Sequence, residues 1–211
     1  MLVGLIDLGI NNLTSVHKAF SVPLTNSDSM ITIDRMFKVS RPDLIILPGL
    51  GKFGPGIDAL DERMLTDKLK TWHQSGTKIV GICLGMQLLG VQSEESPDKE
   101  GLGLIEASIK SLPRNQKEKV PHIGWNEAIP EFGNVAFPSL SYSGDFYFVH
   151  SYQVIPSHEA NILTRTPFGD AKFVSSIISE NVLGFQFHPE KSGLKGKILI
   201  SEIVNWARNE D

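Results

Sequence analysis

Through the first hundred residues, short continuous apolar runs alternate with stretches whose apolar positions recur at helical spacing. Residues 2–8 are unbroken and mostly apolar, as expected of a strand covered on both faces. Residues 13–20 follow with helical spacing. Residues 43–47 (DLIIL) predict a second strand, ended by Pro48-Gly49, and residues 78–82 (KIVGI) a third. Between them, residues 57–72 place Leu60, Met64, Leu65, Leu69 and Trp72 three or four apart or adjacent, which predicts one amphipathic helix closed near Gly76. The next helix is expected over 84–91. Residues 21–40 are more polar than a second strand–helix unit ordinarily is. Such alternation predicts a parallel sheet with right-handed crossovers. The second half differs: 146–154, 162–166, 173–179 and 182–187 succeed one another across short loops and predict antiparallel hairpins. Residues 193–208 close the chain as a helix, with Leu194, Ile198, Ile203, Val204 and Trp206 as its expected buried positions. The fold class is therefore α/β: an open, mostly parallel sheet flanked by helices, with an antiparallel C-terminal extension. No linker or repeat divides residues 1–211, so a single domain is expected.

Composition narrows the function only by exclusion. The 211 residues carry 20 Lys+Arg against 24 Asp+Glu, a formal charge of -4, with no long basic run. This argues against a nucleic-acid or anionic-membrane footprint. The start, MLVGLIDLG, lacks the charged region and cleavage site of a signal peptide, and no apolar stretch approaches the ~20 residues that cross a bilayer. The single cysteine, Cys83, leaves no intramolecular disulfide and fits a reducing compartment. A cytoplasmic enzyme is the expectation.

That cysteine sits in Gly81-Ile82-Cys83-Leu84-Gly85, between a predicted strand and a predicted helix. This is the strand–turn–helix setting of a nucleophile elbow, written G-x-C-x-G. A strained turn needs small neighbours, and the side chain then stands at the carboxyl end of a parallel strand, where open α/β sheets bind ligands. The following helix would direct N–H groups and a positive dipole end at the sulfur, and the N–H of Leu84 is placed to stabilise an oxyanion. A lone cysteine is more often a small buried hydrophobe, so a base must decide. Of six histidines, His17, His73 and His158 lie in polar surroundings without a matching feature. His188 differs. It lies in Gly184-Phe185-Gln186-Phe187-His188-Pro189-Glu190, running off a strand, and proline keeps the preceding residue extended. In an extended segment residues two apart share a side, so Glu190 can reach the imidazole and orient it. A polar turn that merely ends a hairpin is the plainer alternative.

A G-x-C-x-G elbow followed by a terminal His-Pro-Glu resembles the class I glutamine amidotransferases, whose triad is Cys, His and Glu in this order. Further segments narrow the resemblance: Pro48-Gly49-Leu50-Gly51-Lys52-Phe53-Gly54, Cys83-Leu84-Gly85-Met86-Gln87, Val120-Pro121-His122-Ile123-Gly124-Trp125-Asn126, Tyr147-Phe148-Val149-His150-Ser151-Tyr152 and Gln186-Phe187-His188-Pro189-Glu190-Lys191-Ser192. Together they look like the family of glutaminase subunits of imidazole glycerol phosphate synthases, from Asp7 to the C-terminus. The resemblance implies catalysis by Cys83, His188 and Glu190, with glutamine hydrolysed to glutamate and ammonia. It implies an oxyanion hole of backbone N–H groups at Leu50, Gly51 and Leu84, and glutamine contacts at Gln87, Ser151 and Tyr152, with Gly51 beside them. Gln87, one helical turn after Cys83, can line the same pocket. It implies no cofactor and no metal. The implied partner is a (β/α)8-barrel synthase subunit of histidine biosynthesis, docked as a heterodimer on Asn12, Pro121, His122, Trp125 and Lys191 and receiving the ammonia. Trp125 is equally readable as core, and Lys191 as a solvated charge.

Gly49-Leu50-Gly51-Lys52-Phe53-Gly54 also satisfies the dinucleotide pattern G-x-G-x-x-G. It follows a later strand, is flanked by Pro48 and Pro55, and lacks the acidic residue a ribose requires, so dinucleotide binding is not expected. Near the N-terminus, Asp7-Leu8-Gly9-Ile10-Asn11-Asn12 departs from the family's Asp-Tyr-Gly-x-Gly-Asn at Leu8 and Asn11. That departure leaves glutamine hydrolysis intact but keeps open a paralogous role, supplying ammonia to an amino-sugar or surface-polysaccharide pathway. A non-catalytic regulatory subunit would be expected to have lost Cys, His or Glu, and all three are present. A cysteine peptidase or deglycase-like hydrolase is disfavoured by the His-Pro-Glu.

Overall fold

The computed structural model describes residues 1–9, 13–34, 40–113, 119–131 and 137–208; Asn12 lies outside them. The chain opens with β1 (Leu2–Ile6), α1 (Leu13–Ser21), β2 (Ser29–Ile33) and β3 (Leu44–Gly49). Then come α2 (Phe53–Glu62), α3 (Thr66–Gln74), β4 (Lys78–Cys83) and α4 (Leu84–Leu88). The second half holds β5 (Gln92–Ser93), β6 (Ala107–Ser111), β7 (His122–Pro130), β8 (Gly144–His150) and β9 (Tyr152–Pro156). It ends with β10 (Ile162–Phe168), β11 (Ala171–Ser179), β12 (Val182–Phe185) and α5 (Gly193–Arg208). All the described strands join one mixed sheet, whose main path runs β2-β1-β3-β4-β12-β11-β10-β7-β8. From β2 to β12 the neighbours are parallel, and from β12 to β8 antiparallel.

The sheet is covered on both sides, which is why β3 and β4 are apolar without alternation. Ile45, Leu47 and Ile79 face the helical layer that carries Leu60, Leu69, Trp72 and Leu88. Leu44, Ile46, Val80 and Ile82 face the opposite layer, with Phe20, Phe185, Leu199 and Ile203. The α/β architecture agrees with the sequence reading, but several elements differ. The helix expected over 57–72 is two helices. Met64 turns left-handed (φ 56), its N–H bonds Asp61 O, and the N–H of Leu65 returns to Leu60 O: a Schellman ending built on Met in place of Gly. The buried Leu65 then locks the reversal by packing into the core. The strand expected over 146–154 breaks at Ser151 into β8 and β9, which pair with different neighbours. On α5 the bounds agree, yet Leu194 and Ile198 are exposed, at 75% and 46%. The buried stripe is Gly196, Leu199, Ile200, Ile203 and Val204.

Two glycines fix the elbow. A Cβ on Gly85 would lie 1.7 Å from Leu47 O, and one on Gly81 would lie 2.7 Å from the Gly85 carbonyl. Thus α4 rides directly on the backbone of β3 and β4, which holds residue 83 at the sheet edge. Because backbone cannot yield as a side chain can, Gly85→Ala should destabilise the fold by more than about 3 kcal/mol. A chemical-denaturation curve within about 1 kcal/mol of wild type would show that the elbow has slack.

Candidate active site

Cys83 ends β4 with φ 55 and ψ -111, a conformation outside the regions that L-residues ordinarily occupy. It is buried, and its sulfur lies 3.5 Å from Val149 O and 3.8 Å from Gln186 Nε2. The helix behind it spans only five residues, too few for the substantial macrodipole that the sequence reading invoked. Stabilisation of the sulfur must come from individual groups.

Those groups arrive on β12. It lies parallel to β4 with Gly184 opposite Gly81 and Phe185 opposite Ile82, so Gln186 comes level with Cys83 and His188 follows at the same edge. The His188 backbone is pinned three times: its N–H donates to Tyr147 O, and its carbonyl accepts from Ser192 Oγ and from the N–H of Lys191. His188 itself is extended (φ -103, ψ 93), but Pro189–Lys191 form a 3-10 turn. Glu190 therefore reaches the ring by folding back, and not by the extended alternation expected from the sequence. Its Oε1 lies 2.8 Å from His188 Nδ1, both side chains being 3% exposed. Nδ1–H donates to the carboxylate, leaving Nε2 buried and, among the described residues, without a conventional hydrogen-bond partner, though Cys83 is near enough to act on the ring's charge. Burial pulls the His188 pKa down, but the nearby Cys83 and Glu190 outweigh it and raise it to about 9.

A cavity of about 220 Å³ opens beside the sulfur. It is lined by Cys83 together with Leu50, Gly51, Leu84, Gln87, Ser151 and Tyr152, which brings together the residues expected for oxyanion and substrate. Gly51 has φ 116, which a glycine adopts freely. Pro48, Gly49 and Leu50 also border a small hollow lined by His188, Glu190 and Lys191, so the Leu50 segment touches both the cavity and the His188 side. The cavity adds Glu95, Val149 and His150, which the sequence reading missed. Glu95 Oε2 accepts the N–H of Phe53 at 2.7 Å and so anchors the start of α2 just beyond Gly51. A larger hollow of about 650 Å³ lies at the amino ends of the strands. There Asp28 binds the terminal amine and Arg208, far from the sulfur.

Of the expected docking residues, Pro121 and Lys191 are exposed and Trp125 is 58% exposed, which answers whether Trp125 is core. Ile123 joins them at 61%. The Trp125 ring lies 6.2 Å from that of Tyr147, and Lys191 Nζ lies 5.7 Å from the same tyrosine. His122 does not belong to that surface: it is buried, because alternation along β7 turns it inward while Ile123 and Trp125 turn out. It takes part in an oriented chain. Tyr152 O can only accept, so His150 donates to it from Nδ1 at 2.8 Å. His150 Nε2 must then accept from His122 Nδ1 at 3.1 Å, and His122 Nε2 accepts from Asn126 Nδ2 at 3.1 Å. Burial, with His122 and His188 nearby, holds the His150 pKa down to about 3 against the opposing bond to Tyr152.

Among solved structures, one described as a glutamine amidotransferase superposes with a TM-score of 0.71 over 98% of this chain and 99% of its own, at 18% identity, which establishes the shared fold. The profile of the family "Glutamine amidotransferase class-I" matches residues 5–204. At the level of individual proteins, the chain is 39% identical to the imidazole glycerol phosphate synthase subunit HisH of Prochlorococcus marinus, covering 99% of this chain and 96% of that one. It is 40% identical to the HisH subunit of Pyrococcus furiosus, covering 94% and 95%. The chain therefore belongs to the class-I glutamine amidotransferases and, among them, to the HisH family.

The two histidines set opposite limbs of the stability profile. His150, lowered from 6.5, contributes stability that is complete above about pH 6.5 and is lost as pH falls toward 3, up to about 5 kcal/mol. His188, raised from 6.5, contributes stability that is complete below about pH 6.5 and is lost as pH rises through 9. Denaturation midpoints of His150→Asn should fall less steeply than wild type between pH 6.5 and 4. An acid limb of unchanged slope would assign it to other groups.

Proposed function

We propose that this chain hydrolyses the side-chain amide of glutamine through Cys83, His188 and Glu190 and hands the ammonia to a (β/α)8-barrel synthase subunit making imidazole glycerol phosphate in histidine biosynthesis. The observation that carries this reading is the parallel pairing of β12 with β4, which brings the buried His188–Glu190 pair to the edge where β4 presents Cys83. The Cys83 thiolate attacks the amide carbon, and the oxygen takes up negative charge. Backbone N–H groups at Leu84 and the Leu50–Gly51 segment receive that oxygen. Protonated His188 gives its Nε2 proton to the departing nitrogen, the C–N bond breaks, and ammonia leaves a γ-glutamyl thioester. Water, losing a proton to the same nitrogen, attacks the thioester and releases glutamate. No cofactor or metal enters these steps.

Substrate recognition follows from the atoms left available. Both amide hydrogens of Gln87 are taken, by Tyr152 O and Gln186 Oε1, so Gln87 offers the cavity only its carbonyl oxygen. That oxygen and the Glu95 carboxylate suit the α-ammonium group of glutamine, and Ser151 and Tyr152 complete the wall. Ammonia is mostly protonated near neutral pH and then no longer nucleophilic, so delivery within a complex preserves its reactivity. Pro121, Ile123, Trp125 and Lys191 form the docking face for the synthase, beside Tyr147 and through it His188, whose rings lie 6.5 Å apart. Docking there adjusts the Leu50 segment and raises turnover. The setting is the cytoplasm.

Cys83→Ala, assayed for glutamate release with the synthase present, should lose at least a thousandfold in kcat, because the attacking atom is gone. Wild-type turnover in that variant would end the proposal. Separately, the isolated wild-type chain should turn over glutamine at a small fraction of its rate in the complex, and Trp125→Ala should lose about tenfold or more of that stimulation. Full activity in the isolated chain would remove the coupling from this reading.

A further inference from the structure

Gln186 is wholly buried and stands level with Cys83 across the β4–β12 pair. A primary amide in such a place must find partners for both of its ends, and here the partners dictate which end is which. The Tyr152 carbonyl can only accept, so the end of Gln87 that lies 3.2 Å from it is the NH2 group. The same nitrogen lies 3.1 Å from the Gln186 side chain, which must therefore present its oxygen. Gln186 is left with its NH2 toward the Cys83 sulfur, at 3.8 Å. Rotating Gln87 by half a turn would set its oxygen against two acceptors, and rotating Gln186 would set its NH2 against that of Gln87, donor against donor. The orientation is thus inherited from a backbone carbonyl and passed through two side chains.

We propose that Gln186 is a positioning residue for the nucleophile, an N–H donor locked onto Sγ by Gln87 and the Tyr152 carbonyl, which favours the thiolate and holds it beside His188. The inference rests on the reading of Cys83 as nucleophile. Its physical content lies in two competing contacts. The Val149 carbonyl at 3.5 Å can accept from the thiol S–H and favours the protonated form, whereas an N–H donor gains strength when the sulfur is charged. Ionisation thus loses one contact and tightens the other. The titratable groups facing the sulfur are His188 and Glu190 beyond β12, His150 on β8, Tyr152 on β9 and Glu95 after β5. Gln186 does not titrate, so removing it shifts the ionisation of the sulfur without altering that set.

The test is the pH dependence of Cys83 alkylation by iodoacetamide in the full chain, which has no other cysteine. Gln186→Met keeps length and volume but removes the donor. Its alkylation midpoint should move up by about one pH unit, with the high-pH plateau retained. In the complex its kcat at neutral pH should fall about tenfold while KM for glutamine stays within about twofold. Gln87→Leu, which frees the Gln186 amide to rotate, should move the midpoint in the same direction by less. The double variant should add nothing to Gln186→Met alone. A Gln186→Met chain that melts like wild type with an unmoved midpoint would overturn the proposal. Should that variant fail to fold, an unmoved midpoint in Gln87→Leu would overturn it equally. Alkylation does not require turnover, so these outcomes are separate from any failure of Cys83 as the glutaminase nucleophile.

Discussion

The parallel seam between β4 and β12 governs the rest of the molecule. These strands are far apart in sequence, and most of the antiparallel half lies in the chain between them. Once there, register admits no slip, because a shift of one residue would turn every side chain of the strand to the opposite face. Phe185 and Phe187 sit on one face within the aromatic layer around Phe146 and Phe148, and Gln186 between them faces the other way, toward Gln87. Aromatic packing therefore decides which residue meets the sulfur. The chemistry inherits its geometry from the core.

Two histidines in one small volume are driven to opposite charge states by ordinary means. His188 has a carboxylate on one side and a sulfur on the other, and burial amplifies its attraction to both. His150 has a carbonyl and a second imidazole, and its bond to the carbonyl offsets only part of the loss of water, so it stays neutral. A neutral ring that donates at one nitrogen and accepts at the other can belong to an oriented chain, and this one runs from Asn126 through His122 and His150 to the Tyr152 carbonyl. That carbonyl also receives Gln87. It is the common anchor of two polar chains, one ending under the exposed strand β7 and the other at the Cys83 sulfur.

How much of this was legible beforehand follows from where the information resides. Runs buried on both faces, such as those in β3 and β4, announce themselves without periodicity. The division at Met64 does not, because a left-handed turn is usually spelled with glycine and Leu65 keeps the helical rhythm intact. On α5 the true stripe begins at Gly196, which has no side chain to register in a hydrophobic pattern, and Leu194 and Ile198 supplied a false one. Strand β7 was not anticipated, since its large apolar residues Ile123 and Trp125 face outward while His122 faces in, the reverse of ordinary alternation. The same inversion misplaced His122 on the docking face. In the site, local spelling and family likeness point to Cys83, His188 and Glu190, which the pairing of β12 with β4 brings to one end of the sheet. Gln186, His150 and Glu95 leave no such local signature, because each meets the cavity or the sulfur through atoms brought from distant elements.

The backbone of Cys83 carries a conformation that costs an L-residue about 1–3 kcal/mol, held by the close seating of α4 on β3. Glycine would occupy that position at ease. Cysteine therefore holds the turn at a cost that a β-branched residue would only enlarge, and a chain with no need of the sulfur would drift toward glycine there and fold more firmly. On the proposed function, selection for turnover is what opposes that drift.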